Sequence, residues 1–197
     1  APGDAEHQRV SPDEMHEQAG EDPAGLCAVA ITGHGTRVPT ARSPPAGTLA
    51  TVRRLLLVAN PAASGFTAML HRSVVATLRP RFDVTPIWPN GPGEAEAAAA
   101  DAAADGVDVI AAMGGDGIVH RVANGIAGTE ASLAVIPAGT SNVFARLTGH
   151  PRRGIAAAEA LAASRTVRML PTARIDAVGL NGPICRIAVF AAGVGYD

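Results

Sequence analysis

Lysine is missing from this sequence: all 16 basic residues among its 197 residues are arginine. A Walker A loop needs a lysine on the nucleotide phosphates, and the protein kinases need one on a core strand. Schiff-base enzymes also depend on a lysine amine. The sequence therefore excludes these three kinds of site, and any phosphate binding must rely on backbone N–H groups, arginine or a metal ion.

The patterns of zinc sites and disulfide frameworks are missing too. Cys27 and Cys185 are the only cysteines, too few and too far apart in sequence for either. The histidines lack the spacing of metal ligands. They are His7, His16, His34, His71, His120 and His150.

Aromatic residues make up only 3% of a chain that is 47% hydrophobic, so Ala, Val, Leu and Ile must fill the core. A net charge of −2 predicts neither a nucleic-acid partner nor a polybasic membrane anchor. No apolar run approaches the roughly 20 residues that span a bilayer. The first residues lack the basic and apolar parts of a signal peptide. We expect no transmembrane segment and a cytoplasmic location.

The chain changes character near residue 52. Residues 1–50 hold six prolines, six glycines and seven acids against three arginines, which predicts a flexible extension over residues 1–51. Its one strand-like run is 26–31. Apolar runs and helical patterns then alternate over residues 52–164, which predicts an α/β, three-layer sandwich with a parallel sheet. Residues 165–197 are typical of strands joined by hairpin turns, which predicts the start of a second, β-rich module.

Individual elements follow from the same patterns. The predicted strands of the first domain are 55–59, 82–88, 107–113 and 133–136, and helices are predicted between them and over 154–163. One predicted helix follows the first strand. Its expected apolar face consists of Phe66, Met69, Leu70, Val74 and Leu78.

A glycine-rich turn follows the third predicted strand. It consists of Gly114, Gly115, Asp116 and Gly117. Glycine lets the backbone approach a ligand closely, and the next helix directs its N-terminal N–H groups to the same place. A carboxylate beside phosphates needs a cation between them, for which Mg²⁺ is the natural bridge. In the alternative interpretation, Asp116 simply caps a helix.

Two further turns follow predicted strands. Residues 137–142, Pro-Ala-Gly-Thr-Ser-Asn, offer Thr140 either as a helix cap or as a donor to a phosphate. Residues 60–65, Asn-Pro-Ala-Ala-Ser-Gly, offer Asn60 to a ribose or base and Ser64 to a phosphate. In parallel α/β sheets, ligands bind beyond the carboxyl ends of the strands. The three turns therefore predict one phosphate-binding site.

In order and spacing, these stretches resemble the diacylglycerol kinase catalytic family, which includes bacterial lipid kinases and sphingosine kinases. The resemblance covers residue 54 to the end. The matching stretches are Asn60-Pro61, Gly114-Gly115-Asp116-Gly117, Val122-Ala123-Asn124-Gly125, Pro137 to Asn142, Phe144-Ala145-Arg146, Arg174-Ile175-Asp176 and Gly193-Val194-Gly195-Tyr196-Asp197. The resemblance implies Mg²⁺-dependent phosphoryl transfer from ATP to a lipid hydroxyl, by an enzyme peripheral to the membrane when acting. It also allows a homodimer.

The resemblance further implies residue roles. Asp116 would be the catalytic residue, and Asp116 and Asp176 would organise the metal. The residues implied to hold ATP are Asn60, Pro61, Ser64, Gly65, Asn90, Gly114, Gly115, Asp116, Gly117 and Thr140. Because the lipid-binding β-sandwich is only begun, we expect this chain by itself not to phosphorylate a lipid.

Three positions depart from the family pattern. Ile118 replaces a threonine, His120-Arg121 replaces an Asn-Glu pair, and Val143 stands where many bacterial members have aspartate. Arg121 could contact phosphate in place of the missing lysine, or it could mark weakened metal chemistry. One alternative function is therefore an impaired or truncated nucleotide-binding module. A remoter one is a NAD kinase-like enzyme, which shares Gly-Gly-Asp-Gly, although the later motifs favour the lipid kinases.

Overall fold

The computed structural model describes residues 29–31, 52–179 and 182–189. Within these ranges the chain forms a six-stranded sheet flanked by helices, and a separate two-stranded sheet. The predicted flexible extension lies outside the described residues except for one short strand. No helix in the described ranges is long and apolar enough to cross a bilayer.

The predicted α/β class is confirmed, and the four strands predicted in the first domain have bounds within two residues of the predicted ones. The strands of the large sheet are β1 (Val29–Ile31), β2 (Arg53–Ala59), β3 (Phe82–Ile87), β4 (Val109–Gly114), β5 (Ser132–Pro137) and β6 (Arg168–Leu170). The small sheet is the hairpin of β7 (Ala173–Gly179) and β8 (Gly182–Ala188). The helices are α1 (Ala68–Leu78), α2 (Pro92–Ala104), α3 (Asp116–Ile126), α4 (Val143–Leu147) and α5 (Gly154–Ala163).

The strand order of the large sheet is β3-β2-β4-β5-β1-β6. Strands β2, β3, β4 and β5 are parallel, whereas β1 runs antiparallel to β5 and parallel to β6. The sequence assigned the β6 segment to the second domain, but β6 belongs to the large sheet because β1 supplies it with a pairing edge. The carboxyl ends of the four parallel strands share one edge of the sheet, which is where ligands bind in such folds.

Helices cover both faces of the sheet, as predicted. Alternate side chains of β2 point to opposite faces, so Leu55 and Leu57 pack under α1 and α5 while Leu56 and Val58 pack under α2 and α3. Alanines contribute to both layers, for example Ala157 in α5 and Ala123 in α3. The alanine-rich composition therefore fills two thin apolar layers, with few aromatic side chains needed.

The predicted buried face of the first helix was wrong at one position. Met69 is 71% exposed, and the buried side chains of α1 are His71, Val74, Val75 and Leu78. Thr67 caps this helix by accepting the N–H of Leu70 at 3.0 Å. That cap starts the helix at residue 68, and packing on the sheet buries the stripe with the spacing i, i+3, i+4, i+7 from residue 71.

Candidate nucleotide-binding site

The three predicted turns lie at the carboxyl ends of β2, β4 and β5 and contact one another. The N–H of Gly65 donates to the carbonyl of Ala138 at 2.8 Å, and the N–H of Ala138 donates to the carbonyl of Gly114 at 2.9 Å. The hydroxyls of Ser64 and Thr140 are hydrogen-bonded at 2.8 Å. The structure therefore brings together residues 60–65, 114–117 and 137–142, which sequence reasoning had proposed for one site.

The second and third turns pack backbone against backbone. A Cβ atom added to Gly139 would lie 2.5 Å from the Cα of Gly115, closer than any real contact. Asn142 closes the third turn, since its Oδ1 accepts the N–H of Gly139 at 3.1 Å and its Nδ2 donates to the carbonyl of the same glycine at 2.7 Å. Its φ of 44° lies in the left-handed region that asparagine tolerates. The N–H of Gly139 is therefore satisfied within the third turn, and the contact with Gly115 leaves no room for a side chain at Gly139.

Helix α3 begins at this junction without a side-chain cap. Its N-cap residue is Gly115, which has no side chain to accept a first-turn N–H group. The helix is 11 residues long, and its N-terminus carries the equivalent of roughly half a positive charge. Unpaired N–H groups and this partial charge together suit an anion such as a phosphate.

Asp116 has a role that neither sequence interpretation included. Its Oδ2 accepts the N–H of Val143 at 3.0 Å and its Oδ1 accepts the N–H of Phe144 at 3.0 Å. The first residue of α3 thus caps α4, the helix after the third turn, and does not cap its own helix. Each oxygen still has a second lone pair, so its nucleotide, metal and catalytic roles stay predictions.

The proposed metal ligands fit Mg²⁺ unequally. Mg²⁺ commonly takes one or two carboxylates and completes its shell with substrate phosphates and water, a demand that Asp116 meets as a single carboxylate beside the α3 N-terminus. Asp176 lies on the exposed hairpin, where Arg174 donates Nε to Oδ2 at 2.9 Å and Nη2 to Oδ1 at 3.0 Å. These bonds lower the pKa of Asp176. The described residues contain no cluster of three or more His, Cys, Asp or Glu side chains that could hold a metal ion, so the metal role of Asp176 stays a prediction that requires Arg174 to release it.

Two other predicted contacts have local partners. Asn60 accepts the N–H of Ala62 through its Oδ1 at 3.0 Å, which shapes the first turn. Asn90 donates its backbone N–H and its Nδ2 to the Glu94 carboxylate, at 2.8 and 3.1 Å, and so closes the entry to α2. Pro61 lies exposed beside Asn60. The nucleotide roles of Asn60, Pro61 and Asn90 stay predictions.

Two of the three departures from the family pattern, at Ile118 and at His120-Arg121, have structural explanations. Ile118 is buried, and a Cβ on Gly114 would lie 2.8 Å from its Cγ2, so this side chain supports the glycine turn from below. Arg121 forms an ion pair with Glu96 on α2 at 3.3 Å, and the other oxygen of Glu96 pairs with Arg186 on β8 at 3.3 Å. Burial, together with the Arg121 charge, lowers the pKa of His120. The charge of Arg121 is therefore used to join α3 to α2.

Asn124 belongs to the matching stretch 122–125, for which the sequence predicted no role. Its Oδ1 accepts the N–H of Ile187 at 2.8 Å, and its Nδ2 donates to the Ile187 carbonyl at 3.0 Å and to the His120 carbonyl at 2.9 Å. One amide therefore pairs with strand β8 as a neighbouring strand would. An asparagine among the apolar residues of a helix was the available signal, because a partly buried amide needs partners for both its groups.

Known proteins were compared with this chain. A family model, the diacylglycerol kinase catalytic domain, matches residues 54–172. A probable lipid kinase YegS-like protein of Xanthomonas axonopodis pv. citri (strain 306) is 40% identical over 117 residues, 54% of this chain and 36% of that protein. A diacylglycerol kinase of Bacillus subtilis (strain 168) is 48% identical over 65 residues, 32% of this chain and 22% of that protein.

Solved structures show the same likeness. A putative diacylglycerol kinase from Bacillus anthracis str. Sterne superposes with a TM-score of 0.51 at 32% identity, covering 57% of this chain and 42% of that one. This chain therefore spans less than half the length of the relatives described here. The named relatives support the lipid kinases over the NAD kinases, as the later motifs had indicated.

Proposed function

We propose that this chain, which belongs to the diacylglycerol kinase catalytic domain family, forms the nucleotide-binding part of an ATP-dependent lipid kinase. The enzyme transfers a phosphoryl group to a hydroxyl of diacylglycerol or a related lipid, acting from the cytoplasm at the membrane surface. The observation that carries this proposal is the uncapped N-terminus of α3, which meets the hydroxyl pair of Ser64 and Thr140 at one edge of the sheet.

The phosphates are held without lysine. First-turn N–H groups of α3 donate to phosphate oxygens, and the helix field favours their charge. The hydroxyls of Ser64 and Thr140, which otherwise satisfy each other, are both exposed and can turn toward the same ligand. Phosphoryl transfer depends mainly on positioning and on neutralising charge, so this set of backbone and hydroxyl donors suits the reaction.

Asp116 is the proposed catalytic residue because it stands where the phosphates would meet a carboxylate. When bound with the nucleotide, Mg²⁺ would supply the charge neutralisation that a lysine supplies elsewhere. Asp116 can hold the metal, directly or through water, with the lone pairs that α4 does not use. Its hydrogen bonds to Val143 and Phe144 fix the carboxylate in place, which is the pre-organisation that such a site needs.

The lipid acceptor is proposed to bind through parts of the protein other than residues 52–164. Asn124 and the buried Ile187 hold the β7–β8 hairpin against α3. Because the relatives are more than twice as long as the matched region, we assign most acceptor contacts to the β-rich module that this hairpin begins. Transfer to a lipid therefore requires a longer protein than this chain.

A nucleotide-binding module without transfer is the second candidate. It is favoured by Ile118, which cannot donate to a phosphate, and by Arg121, whose charge is paired with Glu96. The two candidates share the nucleotide site and differ only in the reaction.

The test of the shared site is calorimetric titration of this chain with Mg-ATP. Thr140→Val keeps the side-chain shape but removes a phosphate donor, so affinity should fall about tenfold. Thr85→Val, an exposed position on β3, is the matched control and should leave affinity unchanged. Equal affinities for wild type and Thr140→Val would reject the site.

The two candidates are then separated by radiolabelled ATP and diacylglycerol in mixed micelles, using a protein extended to the length of the relatives. Labelled lipid product that disappears with Asp116→Ala identifies the kinase. Mg-ATP binding without product in the extended protein identifies the non-catalytic module.

A further inference from the structure

A groove runs along α1 between this helix and the end of β3. Strand β3 is an edge strand of the large sheet, so the groove opens to one side of the molecule. Its volume is about 710 Å³, within the range of roughly 300–1,000 Å³ typical of small-molecule sites. The apolar lining includes Phe66, Val75, Pro86 and Trp88.

Two arginines border this apolar lining. Arg72 and Arg79 lie on the same side of α1, seven residues and therefore about 10 Å apart along the helix, with Val75 and Ala76 between them. Both are exposed, and within the described part of the chain neither forms an ion pair. No acidic residue lines the groove. The groove therefore offers two guanidinium groups to an anionic partner.

The wall of the groove contains an unsatisfied polar atom. His71 is only 7% exposed, and its buried Nε2 has no hydrogen-bond partner among the described residues. Burial lowers the pKa of this imidazole, which keeps it neutral. Its ring lies 5.0 Å from that of Trp88 and 6.0 Å from that of Phe66. Trp88 is 49% exposed, so its indole forms part of the open lining of the groove.

We propose that this groove binds a single-chain amphiphile with a phosphate or carboxylate head group. The apolar chain would lie along Val75, Ala76 and Trp88, and the head group would accept hydrogen bonds from Arg72 or Arg79. A guanidinium group suits such anions because it can donate two parallel hydrogen bonds to a carboxylate or phosphate. The apolar side chains line a depression, which suits one molecule better than a flat bilayer surface. The proposal does not depend on phosphoryl transfer.

The sequence supplies its own probe for this test. Trp88 is the only tryptophan of the chain, so its emission reports on the groove alone. Titration with oleoyl lysophosphatidic acid below its micelle concentration should give a saturable blue shift as the indole enters an apolar environment. Oleoyl lysophosphatidylcholine, with the same chain but no net charge, should bind at least tenfold more weakly.

Variants distinguish binding in the groove from nonspecific attraction of the anion to positive charge elsewhere on the surface. Arg72→Gln and Arg79→Gln should each weaken binding by up to about tenfold, the size of one charge-assisted hydrogen bond. Ala76→Asp places a carboxylate at an exposed position between the two arginines and should weaken binding further. Arg152→Gln removes an exposed charge outside the groove and should leave affinity unchanged.

Several outcomes would overturn the proposal. They include no saturable shift, equal affinity for the two lysolipids, and equal losses in Arg152→Gln and Arg72→Gln. A shift produced by inorganic phosphate alone would assign the arginines to a free anion. A shift produced only by phosphatidylglycerol vesicles would assign the surface to a membrane.

Discussion

The N-termini of α3 and α4 lie side by side at the same edge of the sheet, but only the N–H groups of α4 have a side-chain acceptor. Two N–H groups at the start of α4 are satisfied by the carboxylate of Asp116. The start of α3 has Gly115 at the capping position and no side-chain acceptor. Asp116 is the first residue of α3, but its carboxylate accepts hydrogen bonds from α4, so the first-turn N–H groups of α3 have no side-chain acceptor.

The comparison also explains why a helix of five residues is stable here. So short a helix has little stability of its own in water. Asp116 supplies hydrogen bonds and charge at its N-terminus, and Phe144 is fully buried in the layer below α3. Tertiary contacts therefore hold α4, and through α4 they hold the third turn in place.

The largest effect is expected from Asp116→Ala, which removes the acceptor of both α4 hydrogen bonds. Two partly buried N–H groups would lose a charged partner, and the free energy of unfolding should fall by about 3 kcal/mol. Urea denaturation measures this fall. Asp83→Ala, at an exposed position on β3, is the matched control and should change stability by less than about 0.5 kcal/mol. Equal stability of the two variants would show that Asp116 does not stabilise α4.

Asp116→Asn refines the same comparison. Asparagine keeps one acceptor oxygen but no charge, so the loss of stability should be roughly half that of the alanine variant. Loss of Mg-ATP affinity in Asp116→Asn beyond that of an equally destabilised variant would support the metal role.

Gly139→Ala tests whether the uncapped N-terminus of α3 needs the close contact between the second and third turns. Its Cβ would come within 2.5 Å of the Gly115 backbone, which cannot move as a flexible side chain can. The second and third turns must separate, at a cost of about 2 kcal/mol, and Mg-ATP affinity should fall with it. Gly93→Ala is the control, since nothing lies within 4 Å of its added Cβ and alanine favours a helix. A Gly139→Ala variant that keeps both stability and affinity would show that the turns need not touch.

The sequence predicted the scaffold of the site better than its hydrogen bonds. Continuous apolar runs such as 133–136 and the alanine-rich run 154–163 identify strands and helices because burial and helix propensity act locally. The contact of Ser64 with Thr140 joins residues 76 positions apart, and Asp116 reaches Val143 across 27 positions. No local pattern encodes either contact.

The same limit explains the error on α1. A predicted helix face is read from the hydrophobicity of its residues alone, so it includes the apolar Met69 and omits the polar His71. The buried face of the helix is decided by its packing on β2 and α5, which no count of residue types along α1 contains. His71 is buried because it shares the stripe of Val74 and Val75, and its ring packs between aromatic neighbours.

The smallest effect concerns the far end of α3, where Asn124 and Glu96 link the helices to β8. Asn124→Ala leaves the Ile187 N–H and carbonyl without their partner, so hydrogen exchange across residues 182–189 should rise by about tenfold, close to 1.4 kcal/mol of local opening. Global stability should fall by a similar or smaller amount, because Ile187 is the one buried residue that the hairpin adds to the apolar cluster of α3 among the described residues.

Glu96→Gln is the matched comparison for that variant. It removes two partly exposed ion pairs, at 3.3 Å each, which are worth about 0.5 kcal/mol apiece and are screened by salt. Exchange at β8 should therefore change little, and the change should vanish at high ionic strength. If Glu96→Gln loosens β8 as much as Asn124→Ala does, the ion pairs and not the amide seat the hairpin. If Asn124→Ala loosens β8 and Mg-ATP affinity stays unchanged, the open N-terminus of α3 does not depend on the hairpin.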